Sequence, residues 1–433
     1  MVKVRGLIHM INGFKNIFPD SAASIQKMKD EALALFDKVL EAEREAFGDD
    51  TNVERSKKHL FTLQLDGVFA DTNKFSPFGR SFTYKEMNKM SARRILFANE
   101  VKKTLGDKAL RNGKDLNVGK SMIVIAGLPR TGSTMLHRLL AADSTTRTPL
   151  WWEQMHDDAP SPTKPQDLYT DPRSLKSAAA LKKIAILSPN LVDEFNRFHK
   201  IGAYEVEECA PFMRRYFNDM DSPYLGDECV EGRNEWLMDE TMDKTFIFTH
   251  LRAWIALETT AFDKDYSWVL KAPLFSFFMN EIDTVFPEAS FVFTNRNPVN
   301  VVPSTCGMVE CAASFKADWR HVILKHVGGY TVERMASFAA FQDRFISKKA
   351  KTDKPCVCIN YKVSVKSPME GVERIYKSAG RELTDKARAE MEKHRDSFTQ
   401  HKHGKADYSM QKFGLTEALV EEGMADYKKN NGV

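Results

Sequence analysis

The sequence predicts an α/β fold: a P-loop-containing parallel sheet flanked by helices, with a helical extension in front of it. Three observations carry this. Ile123-Val124-Ile125-Ala126 is an apolar, mostly β-branched run that passes directly into Gly127-x-x-x-x-Gly132-Ser133-Thr134, a strand turning into a helix near Met135. Trp268–Lys271, Phe291–Thr294 and Val357–Tyr361 are further short apolar runs with helical patterns between them, and such strands belong to a parallel sheet covered on both faces. Before Lys120 the chain shows helical periodicity and no chemistry-bearing motif.

Taken in order, residues 1–115 read as a helical extension or cap and 116–433 as the α/β domain. Ser21–Phe47 carries Ile25, Met28, Leu33, Phe36, Val39 and Leu40 at the spacing of one buried stripe. A second helix is predicted over Lys85–Leu105, with Thr72–Gly79 between them as a turn cluster. The first core strand begins at Met122. Ser161–Pro172 holds three prolines and reads as a loop. Helical patterns cover Arg173–Leu187, Asn234–Met242, Phe246–Ala261 and Phe275–Phe286. Pro303 lies within the helix expected after Pro298, which predicts a kink or a start near Ser304. A long helix near Thr331–Ser347, the strand at Val357 and three helical stretches complete the chain.

Composition fits an enzyme and excludes little else. A net charge of +4 over 433 residues is too mild for nucleic-acid binding. The six cysteines form no zinc-type pair and read as reduced thiols, and no membrane or secretory segment is apparent. A cytoplasmic protein with no nucleic-acid or membrane partner is expected.

The loop is nearly a Walker A motif, whose N–H groups and helix N-terminus cradle phosphate oxygens. Where an NTPase has its lysine, this chain has Ser133, and its cation stands earlier, at Arg130. Pro129, Arg130, Thr131, Gly132, Ser133 and Thr134 can hold one phosphate but lack the group that grips a triphosphate tail. A second strand ends at Arg296, and Ser304 follows about two helical turns later, so that fork and hydroxyl can share one phosphate monoester. A 5′-phosphate loop plus a separate clamp describes the two ends of 3′-phosphoadenosine-5′-phosphosulfate (PAPS).

Here the chain resembles the sulfotransferase superfamily, and more closely the bacterial and algal small-molecule sulfotransferases. Pro-Arg-Thr-Gly-Ser-Thr is similar to their 5′-phosphosulfate loop, Arg296…Ser304 to their 3′-phosphate motif, and Trp268-Val-Leu-Lys271-Ala-Pro to the segment before it. The resemblance covers about Lys120–Tyr427. It implies a PAPS-dependent transfer of a sulfuryl group to a hydroxyl or amine of a small-molecule acceptor; no metal is expected, since no His/Cys/Asp set has ligand spacing and Arg130 with Lys271 can do the electrostatic work of one. Lys402, Gly404 and Lys405 resemble the family's closing basic loop, implying contact with the 3′-phosphate. Two departures stand out: Phe275 replaces a family His, and Val206 a Pro.

Charge grows on the leaving phosphate oxygen during transfer, so cations are needed there. Arg130 is one. Lys271, at the end of a buried strand, is the other, and the resemblance gives it the bridging oxygen; a snorkelling surface lysine is the bland alternative. The acceptor's proton needs a base. Glu153, beside Trp151 and Trp152, is the first choice and His199, in a segment like the family's His-x-x-Gly-Ala motif, the second, with Glu207 and Glu208 as lesser candidates or substrate-orienting groups. His137 and His156 read as structural. A P-loop nucleotide kinase or NTPase, or an inactive nucleotide-binding protein on the same fold, is the alternative reading.

Overall fold

The computed structural model describes residues 21–70, 75–109, 113, 115–155, 163–187, 189–216, 230–239, 241–262, 265–314, 316–318, 322–397 and 409–433. Three helices come first: α1 (Ala22–Phe47), α2 (Thr51–Phe69) and α3 (Pro77–Leu105). The side chains of Ser21 and Asp50 cap α1 and α2 by accepting N–H groups of their first turns. α2 is an addition to the predicted elements, although the Asp50 cap and the buried Leu60, Phe61, Leu65 and Val68 stripe both mark it. α3 starts earlier than expected. Pro77-Phe-Gly, read as turn, is its first turn, because Ser76 accepts the Gly79 N–H and proline is tolerated at that position.

The remainder alternates. β1 (Met122–Gly127) leads into α4 (Ser133–Ala141), then β2 (Thr146–Arg147) and α5 (Trp151–Met155). Helices α6 (Pro172–Leu187), α7 (Pro189–Phe198), α8 (Ala210–Met213), α9 (Val230–Met238) and α10 (Thr245–Thr259) precede β3 (Ser267–Lys271). A tight turn of 3-10 helix (Pro273–Phe277) and α11 (Met279–Val285) replace the single helix predicted there. β4 (Ser290–Asn295), α12 (Pro298–Ala313), α13 (Leu324–Lys349) and β5 (Val357–Asn360) follow. Helices α14 (Tyr361–Lys366), α15 (Pro368–Ser378), α16 (Asp385–Ser397), α17 (Glu417–Gly423) and α18 (Ala425–Asn431) end the chain. α12 begins at Pro298 behind an Asn297 cap, not near Ser304, and carries Pro303 inside it.

The five strands form a parallel sheet in the order β2-β3-β1-β4-β5. Successive strand residues face opposite layers. Val124, Ala126, Leu270 and Phe293 share one core with Phe47, Leu60 and Phe97 of the first three helices. Ile123, Ile125, Val269 and Val292 share the other with Leu136 and Leu140 of α4 and Ile375 of α15. Ile125 pairs with Lys271, Gly127 with Thr294 and Asn295 with Asn360, so four strands end at one level. That edge is where open parallel sheets hold their ligands. Among the described residues no helix is long and apolar enough to cross a membrane.

Candidate active site

Between β1 and α4 the backbone visits the left-handed region at Gly127 (φ 113°), Arg130 (φ 66°) and Gly132 (φ 90°). Among the described residues Arg130 is the one non-glycine residue with positive φ, a strain that persists only where surroundings enforce it. They do. The Thr131 hydroxyl donates to Leu128 O at 2.7 Å and lies 2.6 Å from the Thr294 hydroxyl. The Gly127 N–H donates to Ser276 Oγ at 3.1 Å. A Cβ on Gly132 would stand 3.1 Å from the Tyr361 ring, so glycine is required for space as well as for conformation. Ser133 and Thr134 then open α4, and Pro129 is buried beneath the loop.

Arg296 and Ser304 converge on the same loop. Arg130 Nε donates to Ser304 Oγ at 3.0 Å, and its Nη1 donates to Phe198 O at 2.6 Å. Arg296 Nη1 donates to the Arg130 carbonyl at 3.0 Å, while its guanidinium lies 4.0 Å over the Tyr361 ring. Tyr427 OH, from α18, accepts the Arg296 N–H at 3.2 Å. Arg130, Arg296 and Ser304, spread over 174 positions of sequence, therefore form one hydrogen-bonded group.

Lys271 closes the third side. It is buried at the end of β3, 3.4 Å from Thr134 Oγ1, and paired with Glu208. The Glu207-Glu208-Cys209 segment is stitched to the sheet: the Cys209 N–H donates to Lys271 O at 2.8 Å and the Glu207 N–H to Pro149 O at 2.9 Å. His199 Nε2 lies 2.9 Å from Glu207 Oε1, and its Nδ1 lies 3.7 Å from Glu208 Oε1. Burial presses the His199 imidazole downward, but Glu207 and then Glu208 outweigh it and hold its pKa above the ordinary 6.5. Burial would raise the Glu208 carboxyl; Lys271 and then His199 more than cancel that and hold it below its usual range. Beside them, burial and then the Lys271 charge push His137 down to about 3, which keeps it neutral.

Glu153 stands apart from this group. It is 1% exposed, paired with Arg147 of β2, and accepts the Leu150 N–H at 2.7 Å. Burial raises its carboxyl, with Arg147 opposing. Phe275 is core, 5.9 Å from Phe248. Lys402, Gly404, Lys405 and His156 lie outside the described residues. Thr294 and Tyr427 are additions: Thr294 was visible as a polar residue in an apolar strand, whereas nothing local marks Tyr427.

The arrangement offers a glycine-permitted N–H cradle at a helix N-terminus, a guanidinium–hydroxyl pair, a buried lysine and a histidine–carboxylate pair. It can hold two separate phosphates and move a proton nearby. A sequence profile described as "Sulfotransferase family" matches residues 122–385, more than half of the chain. No curated protein matches the chain. Among solved structures it is similar to sulfotransferase STF9 from Mycobacterium avium, with a TM-score of 0.74 and 21% identity over 92% of this chain and 95% of that one. It is also similar to sulfotransferase STF1 from Mycobacterium tuberculosis H37Rv, with a TM-score of 0.70 and 21% identity over 90% of this chain and 98% of that one. At that identity the two structures support the fold. With the profile match across the loop, Lys271 and the Arg296–Ser304 group, the chain belongs to the sulfotransferase family, the transferases that take their sulfuryl group from PAPS.

Proposed function

We propose that this enzyme transfers the sulfuryl group of PAPS to a hydroxyl or amine of a small molecule in the cytoplasm. The observation that carries the reading is the joining of Arg130, Arg296 and Ser304 across the mouth of the β1–α4 loop. The loop N–H groups with Ser133 and Thr134 bind the 5′-phosphate, and Arg296 with Ser304 the 3′-phosphate. Lys402, Gly404 and Lys405 are assigned to the same end. Bound PAPS supplies an SO₃ group on a good leaving phosphate. Arg130 and Lys271 neutralise the charge that grows there, so the assignment calls for no metal. Residues 1–115 are assigned as a cap that shares the core of the 116–433 catalytic domain.

The base is assigned to His199, in preference to Glu153, whose two oxygens already face Arg147 and the Leu150 N–H. Glu207 holds the proton on His199 Nε2, which leaves Nδ1 to take the acceptor's proton as its oxygen or nitrogen bonds to sulfur. Lys271 must give up part of its contact with Glu208 to reach the leaving oxygen. Free thiols at all five described cysteines agree with a reducing compartment. Calorimetry tests the donor assignment. The reading expects 3′,5′-adenosine bisphosphate to bind more tightly than Mg-ATP; the reverse order would favour a kinase.

A further inference from the structure

Far from the loop, α2, α3 and Phe246 of α10 enclose a small cavity of about 20 Å³ with Arg215 and Tyr216, near the end of α8. Its polar lining is Lys57 and Gln64 of α2, Ser91 and Arg94 of α3, and Arg215 and Tyr216. Among the described residues two carboxylates serve this region, and both are already engaged. Glu43 takes Arg94 through two contacts of 2.7 Å and Lys57 through another, and Asp49 pairs with Lys57.

Arg215 is left over. It is 6% exposed, its guanidinium lies 4.8 Å over Phe212 and 5.6 Å over Phe97, and its Nε and Nη1 have no hydrogen-bond partner among the described residues. His250 donates no charge to the balance, because burial and then Lys57 hold its imidazole neutral. Tyr216 is likewise kept neutral by burial. Among the described residues three cations, Lys57, Arg94 and Arg215, thus face two carboxylates, Glu43 and Asp49. Burial lowers the Arg215 pKa to about 10, with Arg93 adding repulsion and Glu258 attraction from a distance, as expected of a buried cation lacking a close counter-charge.

We propose that this cavity is a binding site for a small monovalent anion, chloride in kind, held by the Arg215 guanidinium and the Ser91 hydroxyl. A water satisfies N–H groups but leaves the charge uncompensated, and a buried unpaired charge is the more expensive defect. The charge selects the occupant: one unpaired guanidinium is matched by one monovalent anion, and since a cavity needs about 10–15 Å³ for one water, this one has room for a halide. Glu43, Asp49 and His250 also lie close enough together to suggest a cation site. Lys57 and Arg94 already occupy those two carboxylates, so an added cation would meet their repulsion. The anion would brace Arg215 and the start of the segment beyond α8 against α2 and α3.

Thermal melting of the full chain tests this in sodium chloride, sodium bromide, sodium gluconate and sodium sulfate at matched ionic strength. A saturable rise of about 2 °C in chloride and bromide, absent in gluconate and sulfate, is expected. Arg215→Gln should remove the halide dependence. Should that variant not fold, crystals of the wild-type chain soaked in bromide give the answer, with an anomalous peak expected beside Arg215. Equal melting in all four salts, or bromide-soaked crystals with no peak in this cavity, overturns the proposal.

Discussion

Replacing Glu208 by Gln should tighten binding of the desulfated donor product while slowing turnover. Lys271 and Glu208 are 3% and 16% exposed at their side chains, so water screens their pairing little. Two unit charges about 4 Å apart at an effective dielectric near 20 attract by about 4 kcal/mol. If about a third of that opposes the approach of Lys271 to an incoming phosphate, Glu208→Gln releases about 1.4 kcal/mol, or about tenfold in affinity. Glutamine keeps the shape and the contact, and so isolates the charge. Titration calorimetry with 3′,5′-adenosine bisphosphate reads the effect without requiring an acceptor. Turnover at pH above the His199 inflection should fall, because Glu208 also faces His199 Nδ1 at 3.7 Å and stabilises the imidazolium that forms as it takes the acceptor's proton. Unchanged or weaker binding in a variant that melts like wild type would refute the competition for Lys271.

Four further outcomes are expected. As the proposed base, His199 would act in its neutral form, and its pKa lies above 6.5, so kcat should rise with pH through that raised value; Glu207→Gln should move the inflection to lower pH in a pH–rate profile. The same raised pKa makes the His199–Glu207 contribution to stability full below about 6.5 and lost as pH rises through the folded-state value, which melting against pH would follow. His199→Ala should lose about 10²–10⁴ in kcat, whereas Glu153→Gln should lower the melting temperature by leaving Arg147 without its buried partner, with kcat of the folded fraction retained. Gly132→Ala should destabilise by about 1–3 kcal/mol in urea melts, through its φ of 90° and the Tyr361 ring, and adding Tyr361→Ala should recover only the steric part.

The parts of the site that a sequence displays are those attached to strand ends. The loop after β1, Lys271 and Arg296 each follow an apolar run within a few residues, and parallel register brings such positions together. Partners supplied from afar leave no local trace. Glu208 meets Lys271 across 63 positions, and Tyr427 meets Arg296 across 131. Glu153 shows the same limit from the other side. Two tryptophans beside a glutamate read as an apolar wall around a base, but Arg147, on a strand of only two residues, converts that wall into a structural ion pair. The helical layer was legible where amphipathic stripes were strong. It was misread where Pro77 and Gly79 looked like turn residues, because the Ser76 cap that turns them into a helix start is a local geometry.

Arg130 holds Ser304 with its side chain and Arg296 with its carbonyl. On the proposed assignment, each phosphate end of the donor is therefore sensed by a residue already tied to the other end. Ligands carrying only one of the two phosphates should forfeit more than half of the binding energy, and substitutions at Ser304 and Thr134 should fail to add. Selectivity against the abundant singly phosphorylated adenosines is then a property of the linkage between the two ends, not of either end alone.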